Sequence, residues 1–431
     1  MPIFDRRQFL STSALAVSGL LMTSRLAFAK ANTSSRFVFI ILRGALDGLS
    51  AVPPYGDPDY SRLRGEIALG APGTAGGVLP LDSVFGLHPS LEFMGESFKA
   101  RELVVFHALA SPYRERSHFD GQDVLESGYM RPHAVQTGWL NRALASLPVD
   151  GASRRKELGV ALGQNVPLVM RGPAPVASWS PSRLAALDDD TLTRITDLYA
   201  KDPLLSKRLA DALTADAIAT SVQDAPMTQE APQPTSADMQ SANAPPAQLL
   251  AQREKAGNRA SARYVEVIRA ASGFLRKEEG PQIAVFDTTG WDTHANEGAA
   301  QGQLSARLAA LDAGLRTLKE QLGPVWQDTV VLVATEFGRT AATNGTRGTD
   351  HGTGAAAFLL GGAVEGGRVV VDWPGLSARS LYESRDLKPT MDLRSVLKGV
   401  LADHLLVPSA ALESSVFPDS RPARALSGLV T

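Results

Sequence analysis

The chain contains no cysteine. That excludes disulfides, thiolate metal sites and cysteine nucleophiles. Stability must come from the core itself, which a chain of 431 residues is long enough to bury. A basic excess is also missing. The 43 Lys and Arg stand against 45 Asp and Glu, for a formal net charge of −2. The chain thus lacks the basic footprint of a nucleic-acid binder, and no nucleic-acid partner is expected. Past residue 30 no run of about 18 apolar residues occurs, so no permanent membrane span is expected. No internal repeat of solenoid length is visible.

What is present begins at the N-terminus. Asp5-Arg6-Arg7-Gln8-Phe9-Leu10 follows the twin-arginine export pattern in all but its first residue. An apolar stretch from Ala14 to Met22 and the small-x-small sequence Ala27-Phe28-Ala29 follow. The stretch is too short and too rich in Ser and Thr to span a membrane permanently. Residues 1–29 are therefore read as a signal cleaved after Ala29. The twin-arginine export machinery is the expected partner, and the periplasm or the cell exterior the expected location. That route carries proteins already folded, often with a metal or cofactor loaded.

Beyond the signal, strand-like and helix-like patterns alternate. Arg36–Leu42, Leu103–His107, Gln282–Phe286, Thr329–Ala334 and Ala357–Gly362 are apolar runs that read as buried strands. Leu304–Leu322 carries Leu304, Leu308, Leu311, Leu315 and Leu318 at helical spacing. Helix starts are read at Leu87–Leu91 with Pro89 in the first turn, at Ser117, around Thr137, and at Asp392. The alternation predicts an α/β fold with a mainly parallel sheet. Residues 180–279 differ: two helical patterns flank Ser221–Pro246, which is rich in Pro, Ala, Gln and Ser. The region is read as a helical insertion with a flexible linker over 221–246.

Candidate chemistry gathers where the apolar runs end. In open α/β sheets ligands bind just outside the carboxyl ends of the strands. Asp47 lies between glycines after the first run. It faces a ligand there, or serves as a local turn acceptor. Arg43 in the same loop binds an oxyanion or pairs with Asp47. Asp292 and His294 stand two apart in Gly290-Trp291-Asp292-Thr293-His294, and Asp350-His351 sits between Gly348 and Gly352. Both doublets read as metal ligands, against the plainer reading of turn acceptors and exposed imidazoles. Glu336 ends a very apolar strand and either binds a metal or pairs with Arg339. Ser117 is a candidate nucleophile with His118 beside it, or simply a helix cap with Asp120 three residues on. His107, at a strand end, is a candidate for the anion-binding side of the site. Asp, Glu and His without thiolate suit a divalent ion such as Zn or Mn.

Taken together, Arg43-Gly44 through Asp47-Gly48-Leu49, Ser117-His118-Phe119-Asp120, Trp291-Asp292-Thr293-His294, Thr335-Glu336-Phe337-Gly338-Arg339-Thr340 and Asp350-His351-Gly352 resemble the bacterial domain-of-unknown-function family 1501. That family is grouped with the alkaline phosphatase and sulfatase superfamily. The resemblance implies an α/β/α sandwich and, in active relatives, two divalent metals bridging a phosphate or sulfate. It sets Asp47 as the first-strand metal aspartate and Asp292 with His294 as the mid-chain metal pair. Glu336 stands where those enzymes carry an Asp-His doublet, and Asp350-His351 comes later. Trp179-Ser180-Pro181-Ser182-Arg183 is similar to the tail of a sulfatase signature, but Trp179 stands where Cys or Ser is required, which argues against a formylglycine enzyme. Two functions follow as expectations. One is a metal-dependent hydrolase of phosphate or sulfate esters, with metal ligands Asp47, Asp292, His294, Glu336, Asp350 and His351. Ser117 and His118 would be catalytic, and Arg43, Arg339 and His107 would hold the oxyanion of a small anionic ester. The other is a non-catalytic exported protein that keeps the fold and binds some other ligand in the same cleft.

Overall fold

The computed structural model describes residues 34–147, 157–181, 195, 198, 199, 202–220 and 264–431. The expected signal (1–29) and linker (221–246) lie outside them. Arg36–Arg43 forms β1, followed by the short helices α1 (Gly48–Ala51) and α2 (Tyr60–Arg64) and by a small hairpin of β2 (Leu79–Pro80) and β3 (Gly86–Leu87). Then come α3 (Glu92–Lys99), β4 (Leu103–Ala110), α4 (His118–Ser127), α5 (Trp139–Ser146), β5 (Gly159–Leu162) and β6 (Val176–Trp179). The helices α6 (Pro203–Thr220) and α7 (264–276) precede β7 (Ile283–Thr289). The chain closes with α8 (Gln303–Leu322), β8 (Thr329–Thr335), β9 (Ala355–Leu360), β10 (Arg368–Val370), β11 (Met391–Asp392), α9 (Leu393–Asp403) and α10 (Ser409–Ala411).

Nine strands make one sheet in the order β10-β4-β9-β8-β1-β7-β5-β6, with β11 continuing on β4. Every pairing is parallel except those of β9, which runs against β8 and β4. The most apolar runs sit at the centre. β1 is hydrogen-bonded to β7 on one side and β8 on the other. Its side chains divide by alternation. Val38, Ile40 and Leu42 enter one core with Phe93 and Met94 of α3, Phe274 of α7, and Leu304, Leu308, Leu311, Leu315 and Leu318 of α8. Phe37, Phe39 and Ile41 enter the other, with Trp139 and Leu140 of α5 and Val396, Leu397 and Val400 of α9. Helices thus cover both faces, and the molecule is an α/β/α sandwich with a mainly parallel sheet. Each fully buried leucine on α8 contributes roughly 1.5–3 kcal/mol through removal from water. α7 belongs to this layer, since Ile268, Ala271, Phe274 and Leu275 are all in the first core.

Two helix starts differ from the sequence reading. α3 begins at Glu92, not at Pro89. Its first amides are capped from a distance: Asp312 of α8 accepts from Phe93 N and Met94 N, each at 2.9 Å. A cap carried by another helix leaves no local pattern. Ser117 is the N-cap of α4, but its side chain makes no capping bond. The expected capping box does not close, because Asp120 is drawn to His133 Nε2 at 3.0 Å. Asp392 caps α9 as expected, accepting from Arg394 N at 2.9 Å.

Candidate metal centre

The carboxyl ends of β1, β4, β7 and β8 lie on one edge of the sheet, as parallel pairing requires. Four loops leave that edge and deliver the polar groups. Two glycines let them approach. Gly44 has φ +120°, and a Cβ there would stand 2.7 Å from Asp292 N. At Gly348 a Cβ would stand 2.4 Å from the carbonyl of His294.

Three side chains, His118, Asp292 and His351, bring ligand atoms within 4.8 Å of one another. His118 is the first residue of α4, Asp292 follows β7, and His351 lies in the loop between β8 and β9. Asp292 Oδ1 is 3.5 Å from His118 Nε2 and 3.3 Å from His351 Nε2. His294 joins them: its Nε2 is 3.1 Å from Asp292 Oδ1 and 2.9 Å from His351 Nε2. For comparison, donors around a four-coordinate zinc at about 2.0–2.2 Å stand about 3.3–3.6 Å apart.

The far side of each imidazole is held by an acceptor. His118 Nδ1 is 2.8 Å from Glu336 Oε1, His294 Nδ1 is 3.2 Å from Asp350 Oδ1, and His351 Nδ1 is 2.9 Å from the Arg116 carbonyl. An acceptor at Nδ1 places the ring proton there, so each neutral ring turns its Nε2 lone pair inward. Each Nε2 then faces the same Asp292 carboxylate oxygen. His118 Nε2 is buried and has no hydrogen-bond partner. Lone pairs at 2.9 Å repel unless a proton or a cation lies between them. This donor set fits a divalent ion of the borderline class.

Charges around the cluster are graded. Burial pushes Glu336 up, but hydrogen bonds led by His118 outweigh it and hold the carboxyl below its usual range. The same bond raises His118. His351 is lowered by burial and by repulsion from His118. Burial pushes Asp292 up, but the Arg339 guanidinium prevails and holds its carboxyl low.

Several candidate residues take other places. Glu336 and Asp350 are brought in, but behind the imidazoles, as the groups that orient His118 and His294. Arg339 is buried, and each of its three nitrogens bonds an acceptor inside the protein. Nε bonds the Ala45 carbonyl, Nη1 that of Thr349, and Nη2 those of Gly44 and Trp291 together with Asp292 Oδ1 at 2.5 Å. It is therefore a brace for Asp292, buried beneath the loops it joins. His107 lies away from the cluster, packed against Phe85 and Trp373, with Nε2 on the Val52 carbonyl and Nδ1 accepting from Ala108 N. Burial pushes its pKa down to about 4, so at neutral pH it offers an anion no charge. Ser117 is engaged with Tyr113, whose phenol oxygen accepts from Ser117 N at 3.1 Å. Arg43 remains partly exposed, with Nη1 on Gln122 and Glu126 and Nε on Asp287. Gln122 in turn donates to Glu336 Oε1 at 3.2 Å.

Asp47 belongs to a second network just beneath. Its Oδ1 accepts from Ser50 N, and its Oδ2 accepts from Arg64 Nη2 at 2.6 Å and from Thr349 Oγ1 at 2.9 Å. Glu297 is the other acid here, bonded by Ser50 Oγ, Thr293 Oγ1 and Thr349 Oγ1. Sequence reasoning missed Arg64 and Glu297. The motifs held one signal for this layer: Thr293 and Thr349 each stand beside a metal-ligand candidate, and both turn inward.

The α/β/α sandwich thus brings imidazoles and a carboxylate together at the carboxyl edge of its sheet, in a group that could hold a metal ion. The chain belongs to the family described as protein of unknown function (DUF1501), which matches residues 107–413. No curated protein matches it. Among solved structures it is similar to the C-terminal periplasmic domain of EcEptC from Escherichia coli in complex with Zn, at 9% identity and TM-score 0.32, over 78% of this chain and 76% of that one. It is also similar to Ps i-CgsB in complex with k-i-k-neocarrahexaose, at 11% identity and TM-score 0.35, over 91% and 77%. A third is BT1596, a 2-O GAG sulfatase, at 12% identity and TM-score 0.27, over 76% and 64%. Among the described residues no helix is long and apolar enough to cross a membrane.

Proposed function

We propose that this chain is a metal-dependent hydrolase of phosphate or sulfate esters, with an alkaline-phosphatase-like use of its sheet edge. The observation that carries the reading is the inward convergence of His118, His294 and His351 Nε2 on Asp292 Oδ1, with His118 Nε2 buried and unpartnered. These four groups would hold the ion, Zn or Mn. When bound, it would supply Lewis-acid polarisation of an ester oxygen and a lowered pKa for water. Arg339 fixes the direction of Asp292, and Glu336, Asp350 and the Arg116 carbonyl fix the three rings. Arg43, partly exposed, would bind a non-bridging oxygen of the substrate. The nucleophile would be the Ser117 hydroxyl, which makes no capping bond on α4, or a water.

The test is hydrolysis of an aryl phosphate and an aryl sulfate by the full chain. We expect turnover of at least one that is lost with chelator and restored by Zn or Mn. Protein that binds stoichiometric metal yet cleaves neither would favour the binding-protein alternative.

We also propose that the protein is exported by the twin-arginine route and works in the periplasm or outside the cell. The support is Arg6-Arg7 with the apolar stretch and the Ala27-Phe28-Ala29 site. Replacing both residues, Arg6→Lys with Arg7→Lys, is expected to leave precursor in the cytoplasm. Undiminished export of the double variant would remove the claim.

A further inference from the structure

We propose that Arg64 is the resident cation of a second carboxylate site, formed by Asp47 and Glu297, and that this site takes no metal ion. The inference rests on the metal reading above and fixes the number of ions at one. It departs from the two-metal pattern that the family resemblance implies, and the reason is geometric.

The donors around this second site are all oxygens: the carboxylates of Asp47 and Glu297 and the hydroxyls of Ser50, Thr293 and Thr349. Such a set suits a hard cation. The cation already present is a guanidinium. Arg64 is fully buried, and its Nη2 stands 2.6 Å from Asp47 Oδ2, 2.6 Å from Ser50 Oγ and 3.5 Å from Glu297 Oε1. It arrives on α2, which folds over the end of β1. A guanidinium is more weakly hydrated than an ammonium, which makes it the better charge to bury. A single cation does not neutralise two carboxylates, and around neutral pH a proton meets part of the remainder. Burial and the Asp47 charge push Glu297 up to about 7. A proton and a guanidinium together cancel the charge that a divalent ion would otherwise cancel. The Arg64 Nε is buried without a partner, as expected for a group held by charge more than by a full set of hydrogen bonds.

The placement also explains what this cation does. Thr293 lies between Asp292 and His294, and Thr349 precedes Asp350 and His351. Both threonines donate into the Arg64-centred network. The internal cation therefore ties down the two loops that carry the upper cluster.

The experiment is a count of divalent ions per folded full-length chain, by elemental analysis and by Mn titration, for wild type, Arg64→Ala and Asp47→Asn. Arg64→Ala is expected to bind one ion more than wild type, because two carboxylates and three hydroxyls lose their cation. Asp47→Asn is expected to bind the same number as wild type. The difference between variant and wild type is the readout for the Arg64 site, so a wild-type count of zero would remove the metal reading and the count of one, while a gain in Arg64→Ala would still show that Arg64 keeps a metal out of its own site. Two ions in wild type, an ion lost from folded Asp47→Asn, or no gain in folded Arg64→Ala would each overturn it. Should Arg64→Ala fail to fold, the wild-type and Asp47→Asn counts decide.

Discussion

Chelation is expected to lower the melting temperature of the purified protein, and added Zn or Mn to restore it. The physical basis is linkage: an ion that binds the folded chain and not the unfolded one stabilises it by about 4 kcal/mol when present at a thousand times its dissociation constant. The empty cluster should contribute the opposite sign. His294 Nε2 and His351 Nε2 face each other at 2.9 Å while Asp292 Oδ1 stands 3.1–3.3 Å from both. With each ring proton on Nδ1, these atoms meet as lone pairs. Single variants separate the two effects. His118→Ala, His294→Ala and His351→Ala should each abolish most of the shift caused by added metal. Without metal, His351→Ala should melt no lower than chelated wild type, because removing one ring relieves the repulsion. A wild-type protein that melts identically with chelator and with added metal would end the metal reading. A metal-free His351→Ala variant that melts well below chelated wild type would show the rings to be a hydrogen-bonded structural cluster.

Much of this arrangement was legible from residue order alone. β1, β4, β7 and β8 announced themselves as unbroken apolar runs because strands covered on both faces need no alternation. Their carboxyl ends then pointed to Asp292, His294 and His351. The short strands β5 and β6 did not stand out, since four residues leave no period to read. The roles within the site were less legible than its members. His118 reads as the neighbour of a candidate nucleophile, yet it is the imidazole that faces Asp292, while the Ser117 backbone N–H bonds Tyr113. The difference is one of helix direction, which a doublet does not encode. Asp47, placed by pattern among the metal ligands, meets Arg64 seventeen positions on. Nothing in the Gly- and Pro-rich stretch around Arg64 marks it as buried. Such a residue is revealed only when the loop is folded over the strand end. Glu336 was left between metal ligation and a pair with Arg339. In the structure it bonds Gly44 N, His118 and Gln122, while Arg339 takes Asp292.

Arg339→Met should be the most destabilising single change near the site. The guanidinium is buried, and its bonds reach three separate segments: Gly44 and Ala45 after β1, Trp291 and Asp292 after β7, and Thr349 ahead of His351. Methionine has similar reach and none of the donors. Four carbonyls would lose a donor, and the Asp292 carboxylate would lose the charge that holds it low. Asp292 is 42% exposed and water compensates it in part, so the cost falls mainly on the buried carbonyls, at about 1–3 kcal/mol for each left without a partner. The expected result is a clear drop in the urea midpoint together with weakened metal binding, since Asp292 is no longer aimed. Arg339→Lys should recover only part of the loss. A lysine keeps the charge but offers three donors from one point, whereas the observed bonds spread from three nitrogens. Asp292 supplies the control. If Arg339 acts mainly by pairing with that carboxylate, Asp292→Asn should absorb much of the cost, and the double variant should be far less destabilised than the sum of the singles. If the carbonyls dominate, the two costs should add. A loss below about 1 kcal/mol for Arg339→Met, within the range of an ordinary surface substitution, would show that the loops hold their geometry without this brace.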